Sequence, residues 1–159
     1  GSAYFVPVDC HPNYVSLNGY PLDLFYRNLS KIPARSITVV IDACFSGGSS
    51  EGMLIARASP LTVKPVEETQ IGNNFVVMTA SSGDEIASWY PEKRHSLFTY
   101  YLLKALKGEG DLNGDKRLTV GEIKNYLSEN VSYMARRLYN REQHPRVYGE
   151  EGKVVVRLR

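Results

Sequence analysis

The feature that most restricts the fold is the run Thr38-Val39-Val40-Ile41, uncharged and β-branched, which stops abruptly at Asp42. Ala34-Arg35-Ser36 reads as a turn leading into it, so the run is expected to be a buried strand. Directly after it come Ala43-Cys44-Phe45-Ser46-Gly47-Gly48: a thiol, a hydroxyl and two glycines. Open α/β sheets bind their ligands at the carboxyl ends of their strands. A thiol mounted there has the setting of a nucleophile, and glycines beside it let backbone amides reach a developing oxyanion. A cysteine at a strand end is also commonly a small buried hydrophobe, so position alone leaves both readings open.

The rest of the chain gives that strand a context. At 159 residues, 43% hydrophobic and 23% charged, it suits one globular domain with a single core. A net charge of +2 does not point to nucleic acid or an anionic membrane as a partner. No apolar stretch approaches the ~20 residues of a membrane span, and no secretory signal is recognised. Two cysteines, Cys10 and Cys44, are too few for a disulfide framework, and a free thiol suits a reducing compartment. A cytoplasmic location is therefore expected.

Tyr4 to Val8 reads as a short extended piece with Pro7 limiting it to an edge, and Asp9 to Asn13 as a turn. His11 beside Cys10 is weak evidence for a metal site without a second pair of ligands. Pro21 opens a helix with Leu22, Leu24, Phe25 and Leu29 inward, and Pro33 lies beyond its end. From Ser49 to Asn74 all periodicity is lost, and a loop of that length is either functional or simply mobile. Phe75 to Thr79 reads as a second core strand. The Ser81-Ser82-Gly83 turn should then bring Asp84 and Glu85 to the same sheet edge as Cys44. Trp89 next to Tyr90 offers aromatic surface, as a groove wall or as a cover for the core. Ser96 is a good N-cap for a helix buried through Leu97, Phe98, Tyr101, Leu102 and Leu106.

Asp111-Leu112-Asn113-Gly114-Asp115-Lys116-Arg117-Leu118-Thr119-Val120-Gly121-Glu122 follows the spacing of an EF-hand calcium loop. Asp111, Asn113, Asp115 and Glu122 would supply side-chain oxygens, and Arg117 its backbone carbonyl. Lys116 stands where glycine normally makes the sharp turn. The bland alternative is a polar loop ending in a Thr119 cap. A helix follows with Ile123, Tyr126, Leu127, Val131 and Met134 inward. Arg136, Arg137, Arg141 and Arg146 form a basic patch, more commonly a solvated face than a binding site. Val154 to Leu158 reads as a closing buried strand.

Asp42-Ala43-Cys44-Phe45-Ser46-Gly47 at the end of an apolar strand resembles the nucleophile motif of caspase-like cysteine peptidases, above all the bacterial and metacaspase branch. Phe75 to Ser81 resembles the next core strand of that family, Ser96 to Leu106 the helix after it, and Lys153 to Leu158 the last strand. The resemblance implies an α/β fold, three layers around a mostly parallel sheet, with only the later strands present in residues 1–159. It implies a cysteine endopeptidase with Cys44 as nucleophile and the Gly47 and Gly48 amides at the oxyanion. Ser81, Asp84 and Trp89 would border the substrate. Asp42 would lie in the specificity pocket, where metacaspases carry an acid and cut after Arg or Lys and caspases carry Gln. The 49–74 loop would be an active-site loop open to autoprocessing at Arg57 or Lys64.

One element of the family pattern is missing. The base is a His in a His-Gly motif, roughly 50 residues before the cysteine in caspases. His11, His95 and His144 do not follow an apolar strand or precede a glycine. The base, with the first strands, is therefore expected from an upstream segment or a second polypeptide. The alternatives are an inactive caspase-like scaffold or partner domain and, more weakly, a calcium-sensing module on the 111–122 loop. No cofactor is required by this chemistry, and calcium is the one ion the sequence suggests.

Overall fold

The computed structural model describes residues 3–43, 48–49, 52–53, 72–82 and 85–159. In chain order the elements are β1 (Tyr4–Phe5), a 3-10 turn (Pro12–Tyr14), α1 (Val15–Asn18), β2 (Tyr20–Pro21), α2 (Leu22–Leu29) and β3 (Ile37–Ile41). Next come β4 (Gly48–Ser49), β5 (Gly52–Met53), β6 (Phe75–Thr79), β7 (Trp89–Tyr90), β8 (His95–Ser96) and α3 (Leu97–Lys104). The chain closes with β9 (Arg117–Thr119), α4 (Val120–Tyr139), β10 (Arg146–Tyr148) and β11 (Val154–Arg157).

The central sheet has the order β10-β6-β3. β3 and β6 are parallel and in register from Ile37 opposite Phe75 to Ile41 opposite Thr79. Each of these strands matches the apolar run expected of it. β6 is buried at all five positions, as a strand covered on both faces should be. One face meets α3 and α4 through Val76, Met78, Phe98, Leu102, Ile123 and Leu127. The other meets α2 through Val77, Phe75, Leu22 and Tyr26, together with Val39 and Ile41 of β3. Helix–sheet–helix layering is thus present around β6.

Two expectations need correction. The third strand of the central sheet is Arg146–Tyr148, antiparallel to β6, in a stretch that reads from the sequence as a basic loop. Val154 to Leu158, expected as a core strand, instead forms β11 in a separate two-stranded ladder with β9. It is only half-buried. The reason is local: β9 lies within the 111–122 loop and runs directly into α4, and β11 pairs with it there. Val147 alone of β10 is buried, so three residues with one apolar side chain carry no strand period to read. Within α2 the inward side chains are Leu22 and Tyr26, with Phe25 and Leu29 half-buried beside them.

Helix ends follow their sequence signals. The Ser96 Oγ accepts the Thr99 amide at the start of α3. Thr119 and Glu122 form a reciprocal capping box on α4, worth about 1 kcal/mol. Asn140 ends α4 in the left-handed region at φ 50°, a conformation asparagine tolerates better than most residues. Among the described residues, no helix is long and apolar enough to cross a membrane.

Candidate active site at the carboxyl end of the sheet

The register gathers the site. Ile41 and Thr79 lie side by side at the ends of the parallel strands, and antiparallel β10 begins there with Arg146 opposite Thr79. Asp42 and Ala43, Ala80 to Ser82 and the residues leading into β10 therefore meet at one end. Cys44, Gly47, Asp84, Arg57 and Lys64 lie outside the described residues. Gly48 pairs with Met53 between β4 and β5.

Asp42 is exposed. Its Oδ2 accepts hydrogen bonds from the hydroxyls of Ser96 and Thr99, the latter at 2.5 Å. Both hydroxyls belong to the start of α3, where the helix dipole favours a negative charge. Neither partner carries charge. Among the described residues no lysine, arginine or histidine forms an ion pair with Asp42. Trp89 lies opposite Ser96 in the β7–β8 hairpin. Directly opposed residues of an antiparallel pair share a face, so the indole, 50% exposed, stands on the same side as the hydroxyl that holds Asp42. A carboxylate suits a guanidinium or ammonium group through charge-assisted hydrogen bonding, and an open aromatic face through cation–π attraction.

The turn after β6 is tied down internally. Thr79 Oγ1 donates to the Ser81 carbonyl at 3.2 Å, and Ser81 Oγ to the Glu85 carbonyl at 3.1 Å. Ser81 is 3% exposed, so its hydroxyl shapes the turn. The Glu85 carboxylate accepts the His144 amide at 2.7 Å and the Ser82 amide at 3.3 Å, and meets the His144 Nδ1 at 2.5 Å. Burial pushes the Glu85 carboxyl up, but the bonds from the His144 ring and amide and from Ser82 outweigh it and hold it below 4.5.

Two of the three histidines are engaged by other groups. The His144 Nε2 faces a Glu142 oxygen at 3.3 Å, so both its ring nitrogens already meet carboxylates. His11 accepts the Asn13 amide to cap the 3-10 turn. His95 is exposed, and strand alternation turns it to the face away from Ser96.

A caspase-domain family model matches residues 2–153, nearly the whole length. The chain belongs to the caspase family. That makes it a domain of a cysteine peptidase family, with an α/β caspase-like fold and proteins as the family's substrates. A search of curated proteins found no match. In the caspase domain, Asp42 and Ala43 are thus the last described residues before Cys44.

The 111–122 loop of this caspase domain bears out the turn geometry its spacing suggests. Lys116 adopts φ 61° and Gly114 φ 74°, so the chain makes its sharp turn at Lys116 without glycine. Asp111 accepts the amides of Gly114 and Lys116, Asn113 that of Asp115, and Asp115 that of Arg117. Arg117 begins β9 and Leu118 is fully buried. Glu122 Oε2 serves the capping box, while Oε1 is buried without a hydrogen bond of ordinary geometry. Burial pushes the Glu122 carboxyl up, but the Thr119 hydroxyl and amide, with the Asn113 and Leu112 amides near the carboxylate, outweigh it and hold it below 4.5. Among the described residues no three His, Cys, Asp or Glu side chains are gathered closely enough to hold a metal ion.

One residue of this region has no counterpart in the sequence reading. Gln143 is completely buried, yet it lies in a polar, irregular stretch between α4 and β10 with no pattern to mark it as interior.

Proposed function

We propose that the chain is the nucleophile-bearing part of a metacaspase-type cysteine endopeptidase that cuts after Arg or Lys. The observation that carries this reading is the Asp42 carboxylate, held by two neutral hydroxyls, one of them on Ser96 opposite the half-exposed Trp89, and lying two residues before Cys44. In the proposed reaction the Cys44 thiolate attacks the scissile carbonyl, and the carbonyl oxygen becomes an oxyanion facing the Gly47 and Gly48 amides. A histidine from outside residues 1–159 gives its proton to the leaving amine. Water then hydrolyses the acyl-enzyme and restores the thiol. The same preference would allow autoprocessing after Arg57 or Lys64.

The proposal includes a further strand from an upstream segment or second polypeptide along the outer edge of β3. Among the described residues no strand pairs with that edge, and Val40 is 49% exposed beside it. Open edges with apolar faces aggregate unless covered. Calcium at the 111–122 loop is a secondary proposal, supported by the turn at Lys116 and by Glu122 Oε1, which is buried without a hydrogen bond of ordinary geometry. Calorimetry with calcium at millimolar concentration tests it, and an absence of heat in a folded sample would reject it.

The deciding experiment uses the full protein and a peptide panel varied at the residue before the scissile bond. Cys44→Ala should abolish turnover while leaving folding intact. Asp42→Asn should lower kcat/KM for Arg and Lys substrates by at least about tenfold. A preference for Asp before the scissile bond would overturn the role of Asp42. A folded wild-type protein with no turnover at all would favour the scaffold reading.

A further inference from the structure

The short linker 140–145 between α4 and β10 touches the turn after β6 at its start, middle and end. Gln143 Nε2 donates to the Ala80 carbonyl at 2.9 Å, where β6 ends. Its Oε1 accepts the Ser88 amide at 2.8 Å, one residue before Trp89. One amide side chain therefore bridges both ends of the 80–88 turn. Next to it, the His144 amide and ring hold Glu85 in the middle, and Arg141 Nε donates to Ser88 Oγ at 3.1 Å. The linker is itself fixed, because Ser132 Oγ on α4 donates to the Gln143 carbonyl at 2.7 Å. Tyr139 at the end of α4 donates to the Trp89 carbonyl at 2.6 Å.

An interior glutamine is expensive unless its donor and acceptor are both satisfied. Both are satisfied here by backbone groups of one turn, so the side chain specifies the separation between Ala80 and Ser88. No apolar residue of the same volume could do this. Trp89, and through the β7–β8 hairpin Ser96 with its hold on Asp42, follow directly from where Ser88 is placed.

We propose that Gln143 is a positioning residue for the substrate groove: it fixes the turn after β6 so that Trp89 stands beside Asp42. This rests on the reading of Asp42 and Trp89 as the recognition site. The role predicts an effect on substrate binding rather than on the thiol, since both Gln143 bonds end on the 80–88 turn.

The test uses Gln143→Met, which keeps the volume and loses both bonds, and Gln143→Glu, which keeps the acceptor and places a carboxylate against the Ala80 carbonyl. Ser132→Ala is the control, because it loosens the linker without touching Ala80 or Ser88. The Ser88 and Trp89 amides should exchange at least about tenfold faster in Gln143→Met than in Ser132→Ala at matched global stability. KM for Arg peptides should rise by about tenfold or more, with kcat within about threefold. Alkylation of Cys44 by iodoacetamide should keep its wild-type rate. Should Gln143→Met not fold, Gln143→Glu carries the same readouts. Unchanged Ser88 exchange in a folded variant, or equal KM increases in Gln143→Met and Ser132→Ala, would overturn the proposal. Exchange is read without turnover, so an inactive wild-type protein would defeat the peptidase reading and still leave the bracing by Gln143 decided.

Discussion

The two core strands lie side by side, yet they are supported differently. β6 is buried at every position, between α3 and α4 on one face and α2 on the other. β3 alternates, with Val39 and Ile41 buried and Thr38 and Val40 exposed. The strand that leads to Cys44 is thus packed on one face, and the strand beside it on both. The comparison teaches that the scaffold of this domain is β6 with its two helices, and that β3 borrows its position from β6. An arrangement of this kind leaves the outer edge of the strand that leads to Cys44 without a partner among the described residues.

The largest test of that asymmetry is a pair of cavities. Phe98→Ala, beneath β6 on α3, should cost about 3–5 kcal/mol, and Leu22→Ala, beneath β3 on α2, about 2–3 kcal/mol, measured by urea unfolding. An equal or reversed order would show that the α2 side carries as much of the fold as the helical side.

A smaller effect concerns helix α4. Thr119→Ala removes the hydroxyl of the capping box and should lower stability by about 1 kcal/mol. The loss should fall wholly on the β6 side of the molecule, so amide exchange in α2 should change no more than the global value. The accompanying acid dependence has a definite sign. The Glu85 carboxyl is held below its ordinary value, so its contribution is present above pH 4.5 and is lost as pH falls further. Glu85→Gln should therefore flatten the acid limb of the stability curve, and an unchanged limb would show that the His144 contact does not stabilise the charge.

The smallest effect is expected at Val40. Val40→Thr in residues 1–159 alone should cost under about 0.5 kcal/mol, because the side chain already meets water. In an assembly that includes the proposed companion strand, the same change should cost about 1 kcal/mol or more. No difference between the two samples would remove the case for a strand on that edge.

Much of the backbone was legible because its signals are local. Ile37–Ile41 and Phe75–Thr79 are marked by unbroken apolar runs, α3 and α4 by caps and inward side chains at helical spacing, and the turn at Lys116 by the spacing of Asp111, Asn113 and Asp115. β10 was not legible, since Arg146 and Tyr148 flank a single buried Val147 and its partner β6 is 67 residues away at the Arg146–Thr79 pair. The placement of β11 beside β9 escaped for the same reason: an apolar run announces burial, but not which edge it will meet.

By itself the sequence determined that a strand ends at Asp42 before a thiol, that helices start at Ser96 and Thr119, and that a polar turn opens the 111–122 stretch. These follow from steric period, capping groups and residue spacing, all of which act within a few residues. Only the tertiary structure decided that Asp42 is held by Ser96 and Thr99, that Trp89 stands on the same face, that His144 is engaged by Glu85 and Glu142, and that Gln143 is interior. The bonds to Asp42, between Glu85 and His144, and from Gln143 to Ala80 and Ser88 each join segments more than fifty residues apart. Polar side chains carry no period that records a distant partner, so their roles emerge only when strand register and helix packing bring the partners together.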